Sequence, residues 1–264
     1  MDVSLRSAVS ARGVTEYAVF GSGRQSLLIL PGVSLRSVLL SAAAVADAYR
    51  SFADDFTVYL FDRNRDLTPG HTVADMAEDA AAAMEVLGIG SACVFGASQG
   101  GMIAQVLAAR HPALVSRLVL GSSLCTQNGI SRAAFLEWIA LADRGDVRAL
   151  NPRVNELVYS PAYYGTYREI FRALEEEGTI DEVHRFGILV RACLGFEFRE
   201  EIARISCPVL ALGALEDRVT GAEGPREIAA RLGCETYLYE GYGHAVYDEA
   251  PDYRERLAAF YLRS

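Results

Sequence analysis

A serine framed by small residues, Gly96-Ala97-Ser98-Gln99-Gly100-Gly101, forms a G-x-S-x-G set between an apolar run (92–95) and a helix-forming stretch (101–110). A sharp strand-to-helix turn needs small flanks because neighbouring backbone passes close to it. Such a turn lifts Ser98 Oγ clear of the sheet. It also sets the Gln99 amide at a helix N-terminus, where it can stabilise an oxyanion. A serine hydroxyl is a weak nucleophile near neutral pH and requires a base. The chain offers four histidines: His71, His111, His184 and His244. His71 and His111 fall near helix ends, where capping or a surface role is expected. His184 falls inside a run of helices, where packing is expected. His244 sits in Gly241-Tyr242-Gly243-His244, past the last strand-like run and before the final helix. That is where a base must be to reach a nucleophile on the same sheet edge.

The base in turn needs an acceptor to fix its tautomer. Asp217, in Gly213-Ala214-Leu215-Glu216-Asp217, directly follows an apolar run (207–212), with Glu216 as the neighbouring alternative. The segment after Leu120, Gly121-Ser122-Ser123-Leu124-Cys125, holds no carboxylate. Ser98, Asp217 and His244 thus follow three strand-like runs in the order Ser, Asp, His.

The elements that must position them alternate. Strand-like runs occur at 14–20, 26–30, 56–61, 92–95, 118–120, 207–213 and 236–239. Helical stretches fall at 37–52, 75–87, 101–110, 225–232 and 251–262. Gly21-Ser22-Gly23 reads as a hairpin loop, since no helix follows it to make a phosphate cradle. The pattern predicts a mostly parallel, twisted sheet with helices on both faces. Between 126 and 204 the alternation gives way to helices expected at 133–142, 147–158, 167–176 and 181–194. The expected organisation is a core of residues 1–125 and 205–264, with a helical cap, 126–204, inserted over the C-terminal edge of the sheet.

Composition narrows the function classes. Over 264 residues, 51% are hydrophobic and 22% charged, with 25 basic against 34 acidic side chains and a net charge of −9. No basic stripe suits a nucleic acid. The apolar stretches fall short of a membrane span, and the first residues lack a signal-peptide core. Five scattered cysteines (Cys93, Cys125, Cys193, Cys207, Cys234) never form a CxxC pair, and fit buried thiols in a reducing cytoplasm. No ligand spacing implies a metal, and serine chemistry requires no cofactor. The partner expected is a small molecule with an apolar acyl or ring portion. Phe135, Trp138, Tyr159, Tyr163, Tyr164, Phe186 and Phe196 either line such a pocket or glue the cap to the body. Arg185 and Arg191, candidates for a substrate carboxylate, read more simply as solvated.

On these residues the chain resembles the α/β-hydrolase superfamily, in particular its small capped serine hydrolases with esterase, lactonase or carbon–carbon hydrolase activity. The resemblance extends to Leu30-Pro31-Gly32-Val33, at the position of a His-Gly loop, and to Glu249 and Pro251 after His244. It implies a second oxyanion donor at the Val33 amide, with Ser34 the alternative. Two departures stand out. Pro31 replaces the frequent histidine. Asp62-Arg63-Asn64-Arg65-Asp66 replaces a glycine-containing turn, its charges serving either substrate binding or, as the simpler expectation, solvation. The resemblance implies ester cleavage through an acyl-enzyme. Carbon–carbon cleavage of a vinylogous diketone, perhydrolysis, and a ligand-binding sensor on the same fold remain open. Haloalkane dehalogenation is disfavoured, because it needs a carboxylate where Ser98 stands.

Overall fold

The computed structural model describes residues 2–175 and 178–263. Among these residues, eight strands form one sheet: β1 (Ser4–Ser10), β2 (Gly13–Phe20), β3 (Gln25–Leu30), β4 (Phe56–Phe61), β5 (Ala92–Ala97), β6 (Val115–Gly121), β7 (Val209–Ala214) and β8 (Glu235–Tyr239). Their spatial order is β1-β2-β4-β3-β5-β6-β7-β8. The β1·β2 and β2·β4 pairs are antiparallel, and every other pair is parallel. Parallel neighbours need crossovers, and these are supplied by α1 (Ala42–Ala48), α2 (Val73–Val86), α3 (Gln99–Arg110) and α9 (Glu223–Leu232). Helices α10 (Val246–Glu249) and α11 (Tyr253–Tyr261) end the chain.

The central strands are covered on both faces, which is why they read as unbroken apolar runs. Their side chains still sort with a period of two. Leu27, Ile29, Leu210 and Leu212 pack with Ala42 and Ala46 of α1 and with Leu257 and Phe260 of α11. Leu28, Leu30, Val94 and Leu118 pack with Met76 and Met84 of α2, Ile103 and Leu107 of α3, and Ile228 of α9. Burying each such side chain contributes about 1.5–3 kcal/mol, so both layers are needed to hold the sheet flat against its helices.

The reading of Gly21-Ser22-Gly23 as a hairpin loop is corrected: β2 and β3 do not pair, because β4 lies between them. The glycines serve a close backbone crossing instead. Gly21 has φ +78°, and a Cβ at Gly23 would overlap the Asp55–Phe56 peptide. Strand β1, whose only fully buried side chain is Ala8, has no apolar period and was not among the expected runs.

Among the described residues, five α-helices stand between β6 and β7: α4 (Gly129–Asp143), α5 (Val147–Val158), α6 (Pro161–Thr166), α7 (Arg168–Glu175) and α8 (Ile180–Leu194). Asn128 with Ser131 caps α4, and Thr179 with Glu182 caps α8, each as a reciprocal capping box. The helix expected at 167–176 corresponds to α7, and its last residue, Glu176, lies outside the described residues. Trp138, Phe135 and Phe186 meet at ring-centroid distances of 5.9 and 6.1 Å and are fully buried, joining α4 to α8. Among the described residues no helix is long and apolar enough to cross a membrane.

Candidate active site

The strand order reverses around β3: the chain moves outward to β4, then returns to the far side of β3 as β5. Loops leaving the C-terminal ends of β3 and β5 therefore diverge and leave a crevice, the usual place for a ligand in an open parallel sheet. The Pro31-Gly32-Val33 loop leaves β3 there, and Ser98 leaves β5.

Ser98 has φ 52° and ψ −116°, a conformation that costs a non-glycine residue about 1–3 kcal/mol. Its surroundings hold it there. A Cβ at Gly100 would overlap the Leu30 carbonyl, and one at Gly96 would lie 2.5 Å from Gly100 O. Ser98 N–H donates to Gly121 O at 2.8 Å, and Ser123 Oγ–H donates to Ser98 O at 2.8 Å. As the first residue of α3, Gln99 has an N–H without an intrahelical acceptor. Val33, half-buried, lies two residues past Pro31 on the facing loop, while the Ser34 hydroxyl is taken by Arg36 O at 2.7 Å.

Asp217 follows β7 and His244 follows β8, and the two side chains meet: His244 Nδ1 lies 2.9 Å from Asp217 Oδ2, with both residues buried. Asp217 Oδ1 accepts the N–H groups of Val219 at 2.7 Å and Thr220 at 2.9 Å. Oδ2 also accepts the Thr220 hydroxyl at 2.7 Å. Burial alone would raise the Asp217 pKa. The charge and hydrogen bond of His244, then the two bonds from Thr220, outweigh it and hold the carboxyl below the usual carboxylate range. Glu216, the neighbouring alternative, is exposed and instead accepts the Gly241 N–H at 2.9 Å.

Backbone hydrogen bonds tie the Ser98 turn to the strands that carry this pair. Ser98 N–H bonds Gly121 O, Ser122 N–H bonds Leu212 O at 2.8 Å, and the Thr220 hydroxyl, whose single proton goes to Asp217, lies 3.1 Å from Ser122 O. Ser98, Asp217 and His244 thus share one sheet edge. Among the described residues, the hydrogen bonds join His244 to Asp217 and to Thr220, and none joins Ser98 Oγ to His244.

Thr220 was not a sequence candidate, although an Asp followed three residues later by a Thr is a recognisable turn signal. Arg63 corrects a second reading. It is not solvated but buried, with Nε donating to Gln99 Oε1 at 3.0 Å and Nη2 to Pro31 O at 2.5 Å. Burial pushes its pKa down to about 10, so the guanidinium stays cationic at neutral pH. Asn64 is buried too.

The inserted helices touch both sides of the site. Gln99 Nε2 donates to Leu189 O at 2.8 Å and to Cys193 Sγ at 3.1 Å, both on α8. Arg185, half-buried rather than solvated, reaches Arg63 O at 3.2 Å. Ala245 N–H donates to Val158 O at 2.9 Å, and Glu249 accepts both the N–H and the hydroxyl of Ser160. Gly243 is required beneath that segment, since a Cβ there would lie 2.7 Å from Ser160 N.

The other histidines stand elsewhere. His71 pairs with Asp79 and His111 with Glu78, each at 2.9 Å. His184 is exposed rather than packed, and Arg191 pairs with Asp143 at the surface. The cysteines are all free thiols, and burial raises their pKa values, to about 12 at Cys193. Among the described residues no three His, Cys, Asp or Glu side chains could hold a metal ion.

Known proteins share this arrangement of chain. The solved structure of MGS-M2, an alpha/beta hydrolase enzyme from a Medee basin deep-sea metagenome library, superposes with a TM-score of 0.86 at 20% identity, covering 99% of this chain and 98% of its own. The enol-lactonase from Burkholderia xenovorans LB400 gives 0.85 at 17% identity, covering 98% and 100%. In sequence, the protein named "Putative carbamate hydrolase RutD" from Caulobacter sp. (strain K31) is 26% identical over 217 residues, 76% of this chain and 81% of that protein. Its namesake from Serratia proteamaculans (strain 568) is 28% identical over 193 residues, 69% and 71%. The model of the alpha/beta hydrolase family matches residues 27–257, from within β3 into α11, and so spans every loop of the crevice described above. With its sheet order, its serine turn and this match over most of its length, the chain belongs to the alpha/beta hydrolase family.

Proposed function

We propose that the protein is a serine hydrolase that cleaves a small ester-like substrate through an acyl-enzyme, with Ser98 as nucleophile, His244 as general base and Asp217 as its orienting acid. The observation that carries this reading is the buried 2.9 Å His244–Asp217 bond on the same sheet edge as a strained, positive-φ serine. The bond fixes Nδ1 as the protonated nitrogen and leaves Nε2 free to accept a proton. Ser98 Oγ makes no hydrogen bond to Nε2 in the unliganded site, and such alignments are commonly completed only when substrate is bound.

In acylation, Ser98 Oγ attacks the carbonyl carbon as its proton passes to His244. The carbonyl oxygen becomes an oxyanion held by the amides of Gln99 and Val33. His244 then gives the proton to the leaving alcohol, and the tetrahedral adduct collapses to the acyl-enzyme. Water, deprotonated by His244, repeats the cycle and frees the acid. The buried Asp217 carboxylate stabilises the imidazolium in both halves. Residues 126–204 act as a cap that excludes water and shapes the pocket, supported by the contacts of α8 with Gln99 and of Val158–Ser160 with the His244 loop.

The names of the relatives extend the substrate class to lactones and carbamates, whose hydrolysis passes through the same adduct. Turnover of p-nitrophenyl esters of increasing chain length, a lactone, an aryl carbamate and a vinylogous diketone tests the reading. Hydrolysis of at least one ester, lactone or carbamate, lost about 10⁴-fold in Ser98→Ala, is expected. Wild-type rates in purified Ser98→Ala would overturn it, and cleavage of the diketone alone would transfer the same residues to carbon–carbon chemistry.

A further inference from the structure

We infer that Arg63 is the positioning residue of the oxyanion hole, one buried cation tying its two walls together; this rests on the nucleophile reading above and deepens it. The two proposed donors come from different strands. Gln99 opens the helix after β5, and Val33 lies on the loop after β3. Nothing in the sheet ladder fixes the gap between loops that have already left it. Arg63, from the loop after β4, spans that gap. Its Nε donates to the side chain of Gln99 at 3.0 Å and its Nη2 to the carbonyl of Pro31, two residues before Val33, at 2.5 Å.

A guanidinium is planar and its N–H groups diverge at fixed angles, so two bonds from one group set a distance as well as a contact. Gln99 passes the constraint on, because its Nε2 is held by Leu189 O and Cys193 Sγ of α8. Neither side-chain partner of Arg63 is a carboxylate. Asp62 accepts the Arg63 backbone N–H at 2.7 Å and lies 3.9 Å from Arg185. Asp62 is thus shared with Arg185 and makes no hydrogen bond to the Arg63 guanidinium. A lysine would keep the charge and lose the fork.

The test uses Arg63→Met, Arg63→Lys and Gln99→Met in the full-length protein. Three readouts apply: steady-state kinetics on the best ester, inhibition by an aryl trifluoromethyl ketone, and thermal melting to confirm folding. The ketone takes Ser98 Oγ at its carbonyl carbon, sends the serine proton to His244 and leaves an oxyanion in the hole. All three variants should lose about 10–100-fold in kcat with KM within about threefold, and bind the ketone more weakly by a similar factor. Lysine should recover less than tenfold of the loss. Folded Arg63→Met with kcat and ketone affinity within threefold of wild type would overturn the inference, as would a loss confined to KM. If Arg63→Met does not fold, Gln99→Met decides in the same assays, since it cuts one tie and keeps the cation. Wild-type turnover by Ser98→Ala would instead remove the nucleophile reading and this inference with it.

Discussion

Thr220→Val is the perturbation that isolates the support of the acid. Valine keeps the branched shape and removes only the hydroxyl, which sits 2.7 Å from Asp217 Oδ2 and 3.1 Å from Ser122 O. A hydrogen bond to a charged group is worth about 1.5–3 kcal/mol, and here the carboxylate it leaves is buried and cannot turn to water. In a chain of this size each kcal/mol moves the melting midpoint by about 2–4 °C, so the variant should melt about 3–12 °C lower at neutral pH. The deficit has a pH signature. Asp217 titrates below its ordinary value of 3.8 in the folded protein, so its bonds stabilise the fold fully above that value. That contribution is lost as pH falls through the folded value. Removing a bond to the ionised form raises the folded value toward the unfolded one. The gap between wild type and Thr220→Val should stay constant from pH 8 to 5 and close in more acidic buffer. Melting curves of both proteins by circular dichroism from pH 8 to 3 measure this. Midpoints within 1 °C of each other across the range would show that the hydroxyl does not support the carboxylate, and so would a gap that widens in acid.

Ser98→Gly relieves the positive φ at the turn, and should raise the melting midpoint by several degrees while abolishing turnover; a lower midpoint would show that the turn is not strained. Gly100→Ala places a methyl against the Leu30 carbonyl and should either fail to fold or melt more than 10 °C below wild type, as read by thermal unfolding. Glu216→Gln should keep kcat within about threefold, whereas Asp217→Asn should lose about 10⁴-fold, and steady-state assays that reversed this order would exchange the two acids.

Some of these residues announce themselves in the sequence because their geometry restricts residue type locally. Gly96 and Gly100 abut backbone on neighbouring elements, so a bulkier residue at either position collides. Asp217 follows a buried apolar strand and His244 a glycine-containing loop after the edge strand, and an open parallel sheet brings such ends together. Other features depend on partners far along the chain. Gly21-Ser22-Gly23 looks like a hairpin because turn chemistry is local, while the intervention of β4 is a property of the whole sheet. Arg63 sits in a charged run and reads as solvated; its partners are Gln99, 36 residues away, and Pro31, 32 residues away. Strand β1 exposes most of its side chains at the sheet's edge, so no hydrophobic period marks it. The role of Glu249 is legible only once Ser160, 89 residues earlier, is seen against it.

The proposed mechanism requires an activated Ser98. Wild-type protein treated with a fluorophosphonate and measured by intact mass and peptide mapping should carry one phosphonyl group, on Ser98, and none in Ser98→Ala or His244→Ala at the same exposure. Wild type that stays unlabelled, or carries the group on another residue, would contradict it.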